Sequence, residues 1–287
     1  MNRPKRAASA VLILSAAILP VVGGAASSGE PSRATPPDLR PLAPIEVIGP
    51  TTGFMMTLGV DAPMVVDGCF ANERIRKGAE RCLRFDGIVA NSGKGALELA
   101  YEIDTSEGLA AAYQRVFNSD GSFEDRFATT SEYHPTHLHF HVSDFYVARL
   151  WSSNERGRKR GAAPVATGDK NGFCPEDSEP IIEAEDQRRH YSCFSEDERG
   201  LSASQVVGIS AGWVDIYSAD LPDQFVEISG VPDGHYALEI EIDPNDVFEE
   251  ADEDNNTVCV VLKLEGTTAS LLDPMPACKP SHRALTP

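Results

Sequence analysis

Tyr236-Ala237-Leu238-Glu239-Ile240-Glu241-Ile242 decides the fold class. Large apolar side chains occupy every second position, and two glutamates fill gaps between them. Successive strand residues point to opposite faces, so this spacing buries one face and wets the other. Leu97-Glu98-Leu99-Ala100-Tyr101-Glu102-Ile103 repeats the pattern, and Val258-Cys259-Val260-Val261-Leu262 reads as a further strand. Phe225–Ile228 is expected to form a hairpin with the opening stretch through a Val231-Pro232-Asp233-Gly234 turn. Only Leu109–Phe117 admits a helical reading, and it is ambiguous. The expected class is all-β: an antiparallel β-sandwich core with long irregular, disulfide-braced loops. Residues 152–223 show little periodicity, and a loop region of that length is functional or cross-linked.

The flanks suggest export. Arg3, Lys5 and Arg6 precede an apolar run through Val22 and a small-residue stretch ending at Ala26, the pattern of a signal peptide over 1–26. Residues 27–44 are rich in Ser and Pro and read as an extended segment. The main domain is expected over 45–265, with a tail over 266–287. The six cysteines then sit in an oxidising compartment and form three disulfides. Six cysteines allow fifteen pairings. The sequential one, Cys69–Cys82, Cys174–Cys193 and Cys259–Cys278, closes the shortest loops and is preferred.

Charge excludes some partners. The 287 residues hold 44 Asp and Glu against 25 Lys and Arg. Without 1–26, which hold three bases and no acid, the balance is 22 bases to 44 acids. Such a surface disfavours nucleic acid and anionic membrane. It permits attraction of cationic amines, though a solvated acidic shell is the plainer reading.

The chemistry concentrates in His134-Pro135-Thr136-His137-Leu138-His139-Phe140-His141. On a strand His137, His139 and His141 would project together, backed by Leu138, Phe140 and Val142 in a core. Three converging imidazoles suit copper, zinc, iron or nickel without choosing among them. His134, three residues earlier, would face away on a regular strand. Pro135 breaks that regularity and leaves His134 open as a further ligand.

This run resembles the copper-binding segment of the lysyl oxidase family, copper amine oxidases that deaminate peptidyl lysine. Leu83-Arg84-Phe85, Asn91-Ser92-Gly93, the segment from Gly168 to Asp177, Gly212–Asp220, Pro232–Tyr236 and Glu250–Asn256 resemble other family segments in the same order. The resemblance spans roughly residues 36–265 and implies copper on His137, His139 and His141. It also implies a lysine tyrosylquinone cofactor cross-linked from Lys170 and Tyr217, which are therefore the catalytic residues. A primary amine or lysine-containing peptide and molecular oxygen would be the reactants. An aldehyde, hydrogen peroxide and ammonia would be the products. It further implies structural calcium on Asp38, Leu39, Glu250, Asp252, Asn255 and Asn256, oxygen ligands of the kind calcium takes.

Two departures stand out. Animal members have a histidine seven positions after the last copper ligand that has been considered as the base. Residues 142–149 contain none, so Asp144 and Asp215 are the carboxylate candidates for that role. Animal members also carry a cysteine where Thr136 stands, which favours Cys174 as the partner of Cys193. The competing readings are a secreted metal-binding β-domain that builds no quinone, and a zinc-dependent hydrolase on the same histidines.

Overall fold

The computed structural model describes residues 34–44, 64–65, 69, 81–104, 108–134, 137–168, 172–181, 189–197, 200–219, 221, 223–272 and 276–279. The strands run in chain order as β1 (Leu39–Pro41), β2 (Met64–Val65), β3 (Cys82–Arg84), β4 (Gly87–Asn91), β5 (Leu97–Asp104) and β6 (Leu109–Phe117). They continue as β7 (Phe123–His134), β8 (His139–Val142), β9 (Tyr146–Ser152), β10 (Ala166–Thr167), β11 (Glu179–Pro180), β12 (Phe194–Asp197) and β13 (Gly200–Ala203). The last six are β14 (Val206–Ile209), β15 (Trp213–Tyr217), β16 (Phe225–Glu227), β17 (Gly234–Ile242), β18 (Thr257–Glu265) and β19 (Thr268–Leu271). No helix occurs among the described residues. All of them belong to one compact unit, Ser32–Pro287.

Three larger antiparallel sheets carry the architecture. Their strand orders are β1-β4-β15-β11, β10-β9-β17-β18-β19-β2 and β14-β5-β6-β7-β8. The alternating patterns determine which faces meet. Leu97 and Leu99 from β5, Leu150 from β9, Leu238 and Ile240 from β17, and Leu262 from β18 all join one buried cluster with Leu39, Val89 and Trp213. Packing of these sheet faces gives the expected β-sandwich core. Disulfides join Cys69 to Cys82, Cys174 to Cys193 and Cys259 to Cys278, with Cα separations of 5.2, 5.9 and 5.5 Å.

Two local expectations are corrected. Leu109–Phe117 is a strand: its alternating burial places Ala110, Ala112, Gln114 and Val116 inward. β16 and β17 do not form a hairpin. β16 pairs with β3, whereas β17 lies between β9 and β18. The intervening bend, closed by the Val231 N–H donating to the Ile228 carbonyl at 2.9 Å, carries the chain from one sheet to another.

A bulge in β7 re-phases one sheet face. Tyr113 of β6 pairs with Phe127, but Ala112 pairs with Thr129, leaving Ala128 as the extra residue. A one-residue insertion reverses which parity faces which side. Before it, Phe123, Asp125 and Phe127 face outward. After it, Thr130, Glu132 and His134 do.

Candidate metal and cofactor site

β7 and β8 form a hairpin with His134 opposite His139 and Glu132 opposite His141. The N–H groups of His137 and Leu138 both donate to the His134 carbonyl, at 3.1 and 2.8 Å, and close the turn. His137 therefore reaches the cluster from the turn, since the strand begins only at His139. Leu138 is corrected too. It sits at φ 62° and is 57% exposed, so only Phe140 and Val142 back the histidines in the core. A four-residue hairpin connection needs a residue in the left-handed region, and Leu138 occupies that position.

The imidazoles converge. His137 Nδ1 and His139 Nε2 each lie 3.1 Å from His141 Nε2. Nitrogens bound about 2.0–2.1 Å from one ion, at angles between square-planar and tetrahedral, sit about 2.9–3.4 Å apart. The donor set thus fits a single transition-metal ion. His134 belongs to the same cluster, with its ring stacked on His141 at 4.7 Å and its Nε2 3.5 Å from the Asp223 carboxylate. The hairpin supplies the reason: its turn sets His134 directly opposite His139, and cross-strand partners share a face. Asp223 lies 89 residues further along the chain, and no local pattern marks it.

Behind the histidines runs a short strap. Val142 and Phe173 exchange backbone hydrogen bonds of 2.7 and 3.3 Å. A Cβ on Gly172 would stand 3.1 Å from the His141 Cβ, so the strap approaches closely only because that residue is glycine. Cys174 then receives the Tyr217 hydroxyl on its carbonyl and donates its N–H to the same oxygen, both at 2.7 Å. The Cys174 and Cys193 sulfurs lie within 4.8 Å of a His139 ring nitrogen. The Phe194 ring packs 5.0 Å from that imidazole. Tyr217 and the histidines are thus linked through one disulfide-braced segment.

Tyr217 is buried with its ring edge-on to Phe173 at 4.2 Å. Burial, with Asp215 adding negative charge, holds its phenol well above the ordinary tyrosine range. Asp215 sits two residues earlier on β15, is 1% exposed and accepts from the Ser178 hydroxyl at 3.4 Å. Asp144 lies in the β8–β9 turn at φ 57°. Lys170 lies outside the described residues, as do residues 1–26, where a signal peptide is expected. Its neighbours are placed: Gly168 N–H donates to the Ala148 carbonyl at 2.8 Å, and Gly172 abuts His141. Asp177, given no role by the sequence reading, accepts from the Ser210 N–H and hydroxyl and from the His190 and Tyr191 N–H groups, at 2.7–3.2 Å. That buried carboxylate staples β14 to the segment carrying the disulfide.

A family model for lysyl oxidase matches residues 79–273. The chain belongs to the lysyl oxidase family. Human lysyl oxidase homolog 1 is 32% identical over 130 residues, 45% of this chain and 20% of that protein. Human protein-lysine 6-oxidase is 30% identical over 137 residues, 47% of this chain and 28% of that protein. Protein-lysine 6-oxidase of Gallus gallus is 29% identical over 188 residues, 65% of this chain and 40% of that protein. The matched spans therefore cover well under half of these relatives.

This lysyl oxidase family member has a second cluster, of oxygen atoms. Glu250 accepts from the Leu39 N–H at 2.6 Å and the Asn256 amide at 3.0 Å, and Asn255 donates to Asp38 at 2.7 Å. Burial, with Glu253 and Asp243 adding like charge, pushes the Glu250 carboxyl up to about 9. The side-chain oxygens of Asn255 and Asn256 are buried and meet no donor. A hard cation would answer both conditions, so the donor chemistry fits calcium. The membership differs from the sequence expectation, however. The carboxylates that gather are Asp243, Glu250 and Glu253, while Asp252 is exposed and accepts from the Asp254 N–H at 2.9 Å.

Proposed function

We propose that this lysyl oxidase family member is an exported amine oxidase that deaminates primary amines, foremost the side chain of peptidyl lysine. The products would be an aldehyde, ammonia and hydrogen peroxide. In this reading His137, His139 and His141 hold copper, His134 stands beside them, and Lys170 and Tyr217 form lysine tyrosylquinone. When present, copper and the quinone would supply a two-electron acceptor for the amine and a path for electrons to dioxygen.

The observation that carries the reading is the pair of 3.1 Å nitrogen separations in a hairpin strapped to Tyr217. The protein's own groups divide the remaining work. The histidines orient one another through the hairpin register. Burial and the neighbouring Asp215 charge keep the Tyr217 phenol neutral, and the Cys174 backbone fixes its position. Asp215, buried on the same strand face as Tyr217, is the carboxylate suited to accept the substrate's α-proton, with Asp144 the second candidate. The Glu250 cluster, as a calcium site, would tie the segment at Asp38 and Leu39 to the chain's far end.

The test is a peptide map of copper-loaded protein together with a peroxide-coupled amine assay. A Lys170–Tyr217 cross-link and oxygen-dependent peroxide release are expected. Copper binding without either would reduce the protein to a metal-binding domain, and turnover without oxygen would make it a hydrolase.

A further inference from the structure

We propose that the outer face of strands β5 to β7 is an exosite for a lysine- or arginine-bearing polypeptide segment, next to the histidine hairpin. Its placement relative to a target lysine rests on the amine-oxidase reading; the surface itself does not.

The register defines this face. Inward positions of β6 are the buried Ala110, Ala112, Gln114 and Val116. Leu109, Ala111, Tyr113, Arg115 and Phe117 therefore point outward. Their β7 partners are Glu132, Thr130, Phe127, Asp125 and Phe123. On β8, His141 stands opposite Glu132. The bulge at Ala128 makes the strip continuous, because it brings Glu132 and His134 to the face already occupied by Phe127 and Phe123.

The composition of the strip is unusual for a solvent face. Phe127 is 60% exposed and Phe123 52%. They are held in edge-on contacts, Phe127 with Tyr113 at 5.8 Å and Phe123 with Phe117 at 5.9 Å. Two exposed rings on one strand face, each held by a neighbouring ring, offer apolar contact surface to a partner. Charge selects the occupant. Glu98, Glu102, Asp125 and Glu132 share the face with one cation, Arg115, which bonds Glu98 and both oxygens of Asp125 at 2.8–2.9 Å. Arg115 also lies 4.1 Å over the Phe123 ring. The face thus already seats one guanidinium on an aromatic ring between carboxylates. Phe127 and Tyr113, with Glu102 accepting from the Tyr113 hydroxyl at 3.3 Å, repeat the ring-plus-carboxylate arrangement with no cation of the chain over the ring among the described contacts. A lysine or arginine of a partner strand fits there by cation–π attraction and charge. Phe127 stands seven residues from His134, roughly 20 Å along the strand. An extended peptide with one lysine at the histidines would reach it with a cation about six residues away.

The test uses copper-loaded full-length protein and a fluorescein-labelled peptide with a target lysine and a basic pair six residues from it. Anisotropy should show salt-sensitive binding. Phe127→Ser should weaken it about two- to fivefold, the loss expected for one exposed cation–π contact. Glu132→Gln should weaken it by a similar factor at low salt and less at high salt. Thermal melts should be unchanged for Phe127→Ser, as should kcat/KM for a short alkylamine too small to reach the strip. Equal peptide affinity in wild type and both variants would overturn the exosite. So would a shift from dimer to monomer in Phe127→Ser with peptide affinity intact, which would make the face a self-association surface. Face-dependent peptide binding without any peroxide release would keep the exosite and sink the amine-oxidase reading.

Discussion

The histidine hairpin and the Glu250 cluster both gather metal-binding atoms, but from opposite distances in the chain. The four histidines lie within eight residues and meet through one turn. Glu250 meets Leu39 across 211 residues, and Asn255 meets Asp38 across 217. A local cluster needs only a hairpin to form. A distant one exists only when the whole fold has closed. An ion at the hairpin should therefore govern chemistry, and an ion at the Glu250 cluster should govern stability.

The largest expected effect is at the hairpin. His139→Ala should reduce copper content, measured by elemental analysis, to background and abolish peroxide release. The melting temperature of the metal-free protein should hardly move. Retained copper would place the ion elsewhere and break the contrast.

Phe173→Ala probes how local the hairpin is. Phe173 is fully buried against Phe145, Tyr146 and Tyr217 and pairs with Val142. Its truncation should cost about 3–5 kcal/mol in denaturant unfolding. A loss under 1 kcal/mol would mean that the strap contributes little to the site's support.

Chelation of calcium comes next. A cation at about 100 times its dissociation constant contributes about 2.7 kcal/mol. Its removal should lower the melting temperature by about 5–10 °C for a chain of this size. Glu250→Gln should show no further drop on chelation. An unchanged melt would remove the distant half of the comparison.

The smallest effect is at Leu138. Glycine there relieves the left-handed backbone, partly offset by its freer unfolded chain, for a gain of about 0.5 kcal/mol. A loss instead would show that the exposed leucine side chain packs in the metal-bound hairpin.

Much of this was legible along the chain because strand alternation and histidine spacing are short-range signals. Tyr236–Ile242, Leu97–Ile103 and Val258–Leu262 are strands, and His137, His139 and His141 converge. The reading failed where the outcome depended on a partner strand. Phe225–Ile228 and Tyr236–Ile242 look like hairpin arms, yet β16 pairs with β3 and β17 pairs with β9 and β18. Leu109–Phe117, rich in alanine, became a strand because β5 and β7 flank it on both sides. Asp223 and Asp243 carry no local mark of their neighbours, and nothing in the acidic run 249–254 tells Glu253 from Asp252.

By itself the sequence determined the β class, the family resemblance and the three-histidine set, since each rests on residues a few positions apart. Tertiary structure alone decided that His134 joins its neighbours, that Tyr217 is clamped to the Cys174 backbone, and which acids gather around Glu250. The physical reason is pairing and closure. The β7–β8 pairing sets His134 opposite His139, and only closure of the fold brings Cys174 to Tyr217 and Asp243 to Glu250.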